Sequence, residues 1–168
     1  MDVQSTRATI LGIDPGLNTT GYGVLEIARS KPPKLVEAGV IRGGKSASLE
    51  SRLREMHQGV QEVIAAFRPD AMAVEQLYSH YDRPRTAILM GHARGVICLA
   101  AVLAEVPVRH YAATQVKRML TGSGRASKQQ MQLAICRELG LAQPPEPADV
   151  ADALAIALCH YFLDRDDS

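Results

Sequence analysis

Four acidic residues have the types and spacing needed to bind divalent cations. Asp14 and Glu75 each end a short apolar run, as a residue at the end of a buried strand would. Asp149 and Asp152 stand three residues apart at the start of an apolar, helix-forming stretch, so they share one helix face. Carboxylates in such places are costly unless something pairs with them. Together the four would form a cage of hard oxygen ligands suited to Mg2+ or Mn2+, and phosphoryl transfer is the chemistry predicted.

Each carboxylate also has an ordinary structural explanation. Asp14 precedes Pro-Gly, where a turn with an aspartate side-chain hydrogen bond is common. Glu75 could be a solvated strand end or a salt-bridge partner. Asp149 and Asp152 could add favourable charge near a helix N-terminus, worth roughly 0.3–1 kcal/mol each. Because all of these coincidences would have to occur together, a metal site is the better interpretation.

A site with two cations predicts a mechanism. Cations about 4 Å apart could bridge a scissile phosphate, one activating water and the other stabilising the leaving 3′ oxygen. Asp14 is the best bridging candidate, since it ends the predicted central strand, with Glu75 and the helix pair on the flanks. No histidine or cysteine is required as a nucleophile. We therefore interpret the five histidines as structural, with His80 the one that could contact DNA.

The composition is that of an ordinary soluble protein. With 168 residues, 46% hydrophobic and 22% charged, the chain favours a single domain over residues 1–168, with a core at about 8–163 and short flexible termini. Three scattered cysteines without metal-ligand spacing suit a reducing cytoplasm. The N-terminus lacks the pattern of a signal peptide, and the apolar run Val96–Leu103 is too short to cross a bilayer, so no membrane association is expected.

The charges are unevenly distributed although the net charge is only +1. Residues 1–75 are balanced, residues 76–137 carry nine basic and two acidic side chains, and residues 138–168 carry one basic and seven acidic side chains. A basic middle section beside an acidic cluster suits a polyanion held over a metal site. From charge alone, solvated helix faces explain the pattern equally well.

The hydrophobic periodicity predicts the elements that position these residues. Three strands joined by short turns should pair antiparallel, and two later strands that return through helices should be parallel. The result is an α/β fold, a mixed five-stranded sheet with helices on both faces, and sites in such sheets gather at the carboxyl ends of central strands. The predicted strands are 8–14, 20–28, 34–42, 71–75 and 106–111, and the main predicted helices are 49–67, 84–105, 127–139 and 147–163.

Six blocks along the chain, from about residue 8 to residue 162, resemble one known family. Their order and spacing are similar to those of the RuvC crossover junction endodeoxyribonucleases. Gly-Ile-Asp-Pro-Gly alone is a weak motif, but all six in sequence are highly specific. The blocks are Gly12–Gly16, Thr20–Val24, Val74–Gln76, Gly91–Gly95, Tyr111–Lys117 and Ala148–Ala157.

The resemblance implies a ribonuclease-H-like fold and magnesium-dependent resolution of Holliday junctions, the four-way junction DNA of recombination. It implies paired nicks in opposed strands that leave ends a ligase can seal. It further implies a homodimer that cooperates in repair with a branch-migration helicase complex of the RuvA and RuvB type.

Family roles extend to single residues of this chain. The resemblance makes Asp14, Glu75, Asp149 and Asp152 the metal-binding and catalytic carboxylates. Lys117 and Lys128 match family positions near the DNA backbone, where they would set position and not sequence. Tyr78 stands where the family commonly has a Phe, and its exposed ring could stack on an unpaired base. Three arginines of the basic section are further DNA-contact candidates without a family role: Arg83, Arg85 and Arg125.

One apolar helical segment of the sequence indicates self-association. The run Val96–Leu103 is apolar on every side, but a helix packed on a sheet buries only one stripe. The remaining face would need a partner, and a twofold dimer suits a substrate with two equivalent strands. The alternative is complete burial within one chain.

Three other functions compete with junction cleavage. The segment Gly12–Thr20 also resembles the phosphate loop of actin-like ATPases and sugar kinases, but these need a second domain for which 168 residues leave no room. Nucleases that trim ribosomal RNA precursors lack the long basic section and the helix-borne pair. A non-catalytic junction-binding scaffold would not need four intact carboxylates.

Overall fold

The computed structural model describes residues 7–44, 48–77 and 83–166. Its elements follow the predicted order, with three strands first and the remaining two strands each preceded by a helix. The strands are β1 (Arg7–Asp14), β2 (Thr19–Ala28), β3 (Lys34–Arg42), β4 (Ala71–Glu75) and β5 (Val108–Tyr111). The helices are α1 (Leu49–Phe67), α2 (Pro84–Leu103), α3 (Ala113–Thr121), α4 (Lys128–Leu139) and α5 (Ala148–Asp166).

The five strands form one mixed sheet in the order β3-β2-β1-β4-β5. The first three pair antiparallel, whereas β4 is parallel to both β1 and β5. In the parallel register Ile13 lies beside Val74, so Asp14 and Glu75 follow on adjacent strands at the same edge. The predicted α/β sheet is confirmed, and it brings two of the four carboxylates together through backbone pairing alone.

Helices cover both faces of the sheet, as a ribonuclease-H-like fold requires. Helices α1 and α2 pack on one face around a core that includes Leu11, Val60 and Ile97. Helices α3, α4 and α5 pack on the other face around a core that includes Leu25, Ile135 and Leu154. Side chains alternate between the two cores along each central strand, which is why β1 and β4 are apolar in their middle parts.

Strand β5 and helix α2 are both shorter than the sequence predicted. The strand begins at Val108 because Val106 donates its N–H to the Ala101 carbonyl at 2.9 Å, and Pro107 has no N–H to donate. The helix ends at Leu103 because Glu105 takes a left-handed conformation, with φ of 58°. A tight turn therefore replaces the last turn of the predicted helix and the first residues of the predicted strand.

Glycines in β1 and β2 allow α5 to lie very close to the sheet. A methyl group at Gly12 would overlap the carbonyl oxygen of Ala153, and a methyl group at Gly21 would overlap that of Asp149. Gly21 pairs with Asp14 in the sheet. The helix backbone thus rests against the strand next to Asp14, which fixes the start of α5 near the end of β1.

Among the described helices, α2 is long and apolar enough, by length and composition alone, to cross a membrane. Its most apolar 18-residue stretch has a mean hydropathy of 1.7, and 22% of that stretch is buried. The apolar segment is thus longer than Val96–Leu103. Core helices of water-soluble proteins can be equally long and apolar, but most of this helix is not in the core. Its exposed apolar side chains include Ile88, Leu99 and Val102.

Candidate active site

The four predicted carboxylates, called the acidic quartet below, lie at the edge of the sheet where β1 and β4 end. Asp14 and Glu75 are the last residues of their strands. Asp149 lies in the first turn of α5, against the Gly21 backbone beside Asp14. Asp152 follows one helical turn later. Two strand ends and one helix start, elements far apart in the sequence, therefore bring the quartet together.

Asp14 is the electrostatic centre of the acidic quartet. Burial above all, and then the negative charges of Asp152, Glu75 and Asp149, raise the pKa of its carboxyl from 3.8 to about 8. Since all three other carboxylates act on Asp14, the four form one interacting group. Such a cluster of like charge is unfavourable on its own and favours a cation or a proton.

Basic side chains moderate the charges of the other carboxylates. Burial and then Asp152 raise the pKa of Glu75, while Lys117 and Arg94 act to lower it. Partial loss of solvent and then Asp149 raise the pKa of Asp152, although this side chain remains exposed at the surface of α5. Lys128 and Lys117 act to lower that pKa. Both predicted lysines therefore lie within electrostatic reach of the acidic quartet.

The donor chemistry of the acidic quartet fits a hard divalent cation, but the side chains are not arranged as a closed coordination shell. Within residues 7–44, 48–77 and 83–166, no group of three or more His, Cys, Asp or Glu side chains could hold a metal ion as it stands. Side-chain rotation would be needed for the four carboxylates to share a cation. The structure thus places the four ligand candidates together without placing their oxygens at ligand distances.

Glu75 stands between two clefts. The first, of about 340 Å3, lies between α3, α4 and α5 and is called the α4 cleft below; Asp152, Lys117 and Lys128 also line it. The second, of about 770 Å3, lies between α2 and the start of α3. Its walls include Pro15, Leu77, Met90, Arg94 and Thr114. A strand of nucleic acid that crosses the acidic quartet would therefore find a depression on either side.

Arg94 is a site residue that the sequence reasoning missed. From the middle of α2 its guanidinium donates to the backbone carbonyl of Glu75, and its second amino group lies 2.8 Å from Nδ1 of His110 on β5. The side chain thereby ties α2 to the end of β4. An arginine in the middle of an otherwise apolar helix was the available indication, because a cation there needs a partner.

The other predicted DNA contacts are exposed but do not line either cleft. Arg83 and Arg85 lie at the start of α2, and Arg125 lies in the turn between α3 and α4, where its N–H donates to Ser123 Oγ at 3.2 Å. Tyr78, together with His80, lies outside the described residues. The structure therefore neither supports nor contradicts a role of Tyr78 beside Glu75.

Among the described residues two histidines have side-chain partners, His110 beside Arg94 and His160 beside Tyr111. His160 is buried in α5, with Nδ1 2.6 Å from the hydroxyl oxygen of Tyr111. Burial lowers the pKa of this imidazole. The hydrogen bond joins α5 to β5.

Comparisons with known proteins give a single result. The family model described as crossover junction endodeoxyribonuclease RuvC matches residues 10–160. A protein of that name from Rhodopirellula baltica is 63% identical over 159 residues, covering 94% of this chain and 88% of the relative. One from Desulforamulus reducens is 44% identical over 153 residues, covering 90% and 91%.

A solved structure shares the arrangement of the whole chain. The protein described as Thermus thermophilus RuvC in complex with a Holliday junction substrate superposes with a TM-score of 0.89 and 36% sequence identity. The match covers 95% of this chain and 96% of that one. The similarity therefore extends over the entire sheet and the helices on both of its faces.

Proposed function

The chain belongs to the RuvC family of crossover junction endodeoxyribonucleases, so it is a Holliday junction resolvase. We propose that it cleaves DNA with the help of cations bound by the acidic quartet. The family is one of metal-dependent nucleases. The observation that carries the assignment of the site is the meeting of the two strand ends, Asp14 and Glu75, with the start of α5, and the raised pKa of Asp14, to about 8, agrees with it. A group that holds this much negative charge in a half-buried place is suited to divalent cations.

We propose Mg2+ as the physiological cation, two ions per site, with Mn2+ as a substitute. Carboxylate oxygens are the ligands that both metals prefer. When bound, the cations would activate water and stabilise the leaving 3′ oxygen of the cut strand. Asp14 is the candidate for the shared ligand because it is the carboxylate on which the three others act.

The protein's own basic residues would position the DNA. Lys117 and Lys128 line the α4 cleft beside Glu75 and Asp152, so their ammonium groups are placed to bind phosphates next to the one being cut. Arg94 would act differently, since it holds the backbone at Glu75 and so fixes the end of β4. We keep Arg83, Arg85 and Arg125 as outer DNA contacts on the strength of their exposure.

A strand-by-strand cleavage map on a synthetic four-way junction tests the proposed function. We expect the wild-type protein with Mg2+ to nick two opposed strands and to leave ends that a ligase seals. Asp14→Asn and Asp152→Asn should lower cleavage by at least about a thousandfold, while junction binding is retained, because the carboxylates serve the cations. Asp164→Asn, at the other end of α5, is the matched control and should cleave normally. Full cleavage by Asp14→Asn, or by the wild type in excess chelator, would contradict the metal site.

The exposed face of α2 supports a homodimer. Leu99 is 50% exposed, Val102 65% and Leu103 64%, and Ile88 continues the same face one turn before the helix middle. Gly91 and Gly95 lie between them with open space above, so another backbone could approach closely. An apolar stripe of this length on a helix is characteristic of an interface. A second copy is the proposed partner, since cutting two equivalent strands requires two equivalent sites.

Three further assignments belong to the same proposal. A branch-migration helicase complex of the RuvA and RuvB type is the proposed partner in the cell, on the basis of family membership. A reducing cytoplasm is the proposed compartment, which suits the free thiols Cys98, Cys136 and Cys159. We also propose that residues 1–168 act as one domain.

A further inference from the structure

The α4 cleft combines a charged mouth with an apolar floor. Glu75 and Asp152 stand at one side, and Lys117 and Lys128 also line it. Its deeper walls are core side chains that keep only a little exposure; the residues are Val116, Ile135, Ala151, Ala155 and Ile156. The volume of about 340 Å3 is at the small end of the range for sites that enclose small molecules.

These walls are unsuited to a phosphate but suited to a nucleobase. A phosphate inside the cleft would lose its solvent against apolar carbon atoms and lie beside two carboxylates. A base presents flat, weakly polar faces to apolar side chains and keeps its hydrogen-bonding groups at its edge. The phosphates on either side of that base would remain at the mouth, where the two lysines complement their charge.

Gln132 adds a group that could recognise the edge of such a base. The residue lies on α4, lines the cleft and is half-buried. Within the described residues its amide has no hydrogen-bond partner, so its donor and acceptor groups are available to a ligand. A glutamine amide can donate and accept at once, the pattern that pairs with the edge of an adenine.

We propose that the α4 cleft receives one base of the strand being cut, next to the scissile phosphate, and that Gln132 recognises the edge of this base. The inference rests on the proposed function and adds to it a residue that determines sequence preference. Turning a base out of its stack is least costly where pairing is already disturbed, as at a crossover. The disturbed pairing at the junction would therefore allow a base to enter the α4 cleft, and Gln132 would distinguish between the different bases that enter it.

Cleavage of a junction library with randomised bases around the cut tests the proposal. We expect the wild-type protein to prefer one base at one position by on the order of tenfold, the usual discrimination of a two-bond contact. Gln132→Leu should flatten that preference by lowering the rate on the favoured junctions towards the rate on the least favoured ones. Gln129→Leu is the matched control, because Gln129 lies on the same helix, is exposed and does not line the cleft. It should retain the wild-type profile.

Each other outcome of the library experiment overturns the proposal. An unchanged profile for Gln132→Leu would show that the amide recognises no base. An equal loss of rate on all sequences would show that it acts on the backbone or on folding. Absence of cleavage by the wild type on every junction would instead refute the proposed function, and it would be seen before any variant is compared.

A scan with abasic nucleotides identifies the base concerned. One position next to the cut should lower wild-type cleavage when its base is missing, and Gln132→Leu should be less sensitive to loss of that same base. If the two proteins respond equally at every position, Gln132 and the base act independently, and the proposed contact does not exist.

Discussion

Helices α2 and α5 are the two most apolar of the five described helices, and they lie on opposite faces of the sheet, yet their environments differ sharply. Every residue from Ala153 to Tyr161 of α5 is buried, whereas α2 exposes a stripe that includes Leu99 and Val102. Glycines of β1 and β2 bring α5 close to the central strands, while α2 packs mainly against α1. The apolar composition of a helix thus determines that its surface must be buried. The neighbouring elements determine what it is buried against. For α5 the cover is its own sheet; for α2 we propose a second copy.

The largest difference in stability between the two helices should appear when α5 can no longer lie close to the sheet. Gly12→Ala places a methyl group against the Ala153 carbonyl and Ala157, both parts of a helix that cannot retreat without exposing its core. We expect a loss of about 3 kcal/mol in the free energy of unfolding, measured by urea denaturation. Gly95→Ala on α2 meets nothing within 4 Å and should leave the monomer unchanged or up to about 1 kcal/mol more stable. Equal losses for both variants would contradict the difference drawn between the two helices.

The next largest effect should be a loss of dimerisation when the exposed face of α2 is changed. Leu99→Glu should weaken dimerisation by at least about 30-fold, or roughly 2 kcal/mol, because each interface would receive two buried charges. Sedimentation at micromolar concentration should then show a monomer, with the unfolding free energy of the monomer little changed. Leu133→Glu is the control, since Leu133 on α4 is likewise exposed, at 65%, but lies outside the stripe. A wild-type protein that sediments only as a monomer would remove the homodimer from the proposal.

The acidic quartet at the start of α5 predicts a stability that depends on pH. Burial chiefly, and then the three other carboxylates, raise the pKa of Asp14 to about 8 in the folded state. An unfolded aspartate ionises near pH 4, so between about pH 4 and pH 8 the folded chain binds a proton that the unfolded chain has lost. The stability contributed by neutral Asp14 is therefore full below pH 4 and is lost as the pH rises towards 8.

Asp14→Asn isolates this effect because asparagine does not titrate. In chelator, we expect the variant to exceed the wild type in unfolding free energy by about 2 kcal/mol more at pH 8.5 than at pH 5. Adding Mg2+ at pH 8.5 should narrow the gap by stabilising the wild type alone. An advantage of the same size at both pH values would mean that Asp14 does not carry its charge in the environment described.

Sequence patterns predicted the sheet and the acidic quartet because both depend on local features. Asp14 and Glu75 end apolar runs, and parallel pairing then makes their meeting a consequence of topology. Patterns could not place Arg94 in the site, since its partner is a backbone carbonyl on another element. They also could not predict which face of α2 stays exposed, because a helix that is apolar all round has no periodicity to indicate it.

The packing details depended on contacts between distant elements. That Gly12 and Gly21 are required by α5 is seen only once the helix is laid on the sheet. The start of β5 depended on a turn in which Val106 bonds back to Ala101, and its β-forming composition gave no indication of this. The α4 cleft likewise arises from three helices whose relative positions no spacing in the sequence reveals.

The smallest predicted effect concerns the basic side chains that face α5. Lys117 and Lys128 act on the carboxyl of Asp152 and line the same cleft, and we propose that they bind phosphate as well. Replacing either by Met should weaken binding to all junction sequences alike and flatten the dependence of log K on log salt by about one counterion. Lys34→Met, at the start of β3 and away from the acidic quartet, should leave the slope unchanged. If Lys117→Met and Lys128→Met also leave the slope unchanged, these lysines serve only to balance the charge of the carboxylates. The DNA backbone would then not pass along this side of α5.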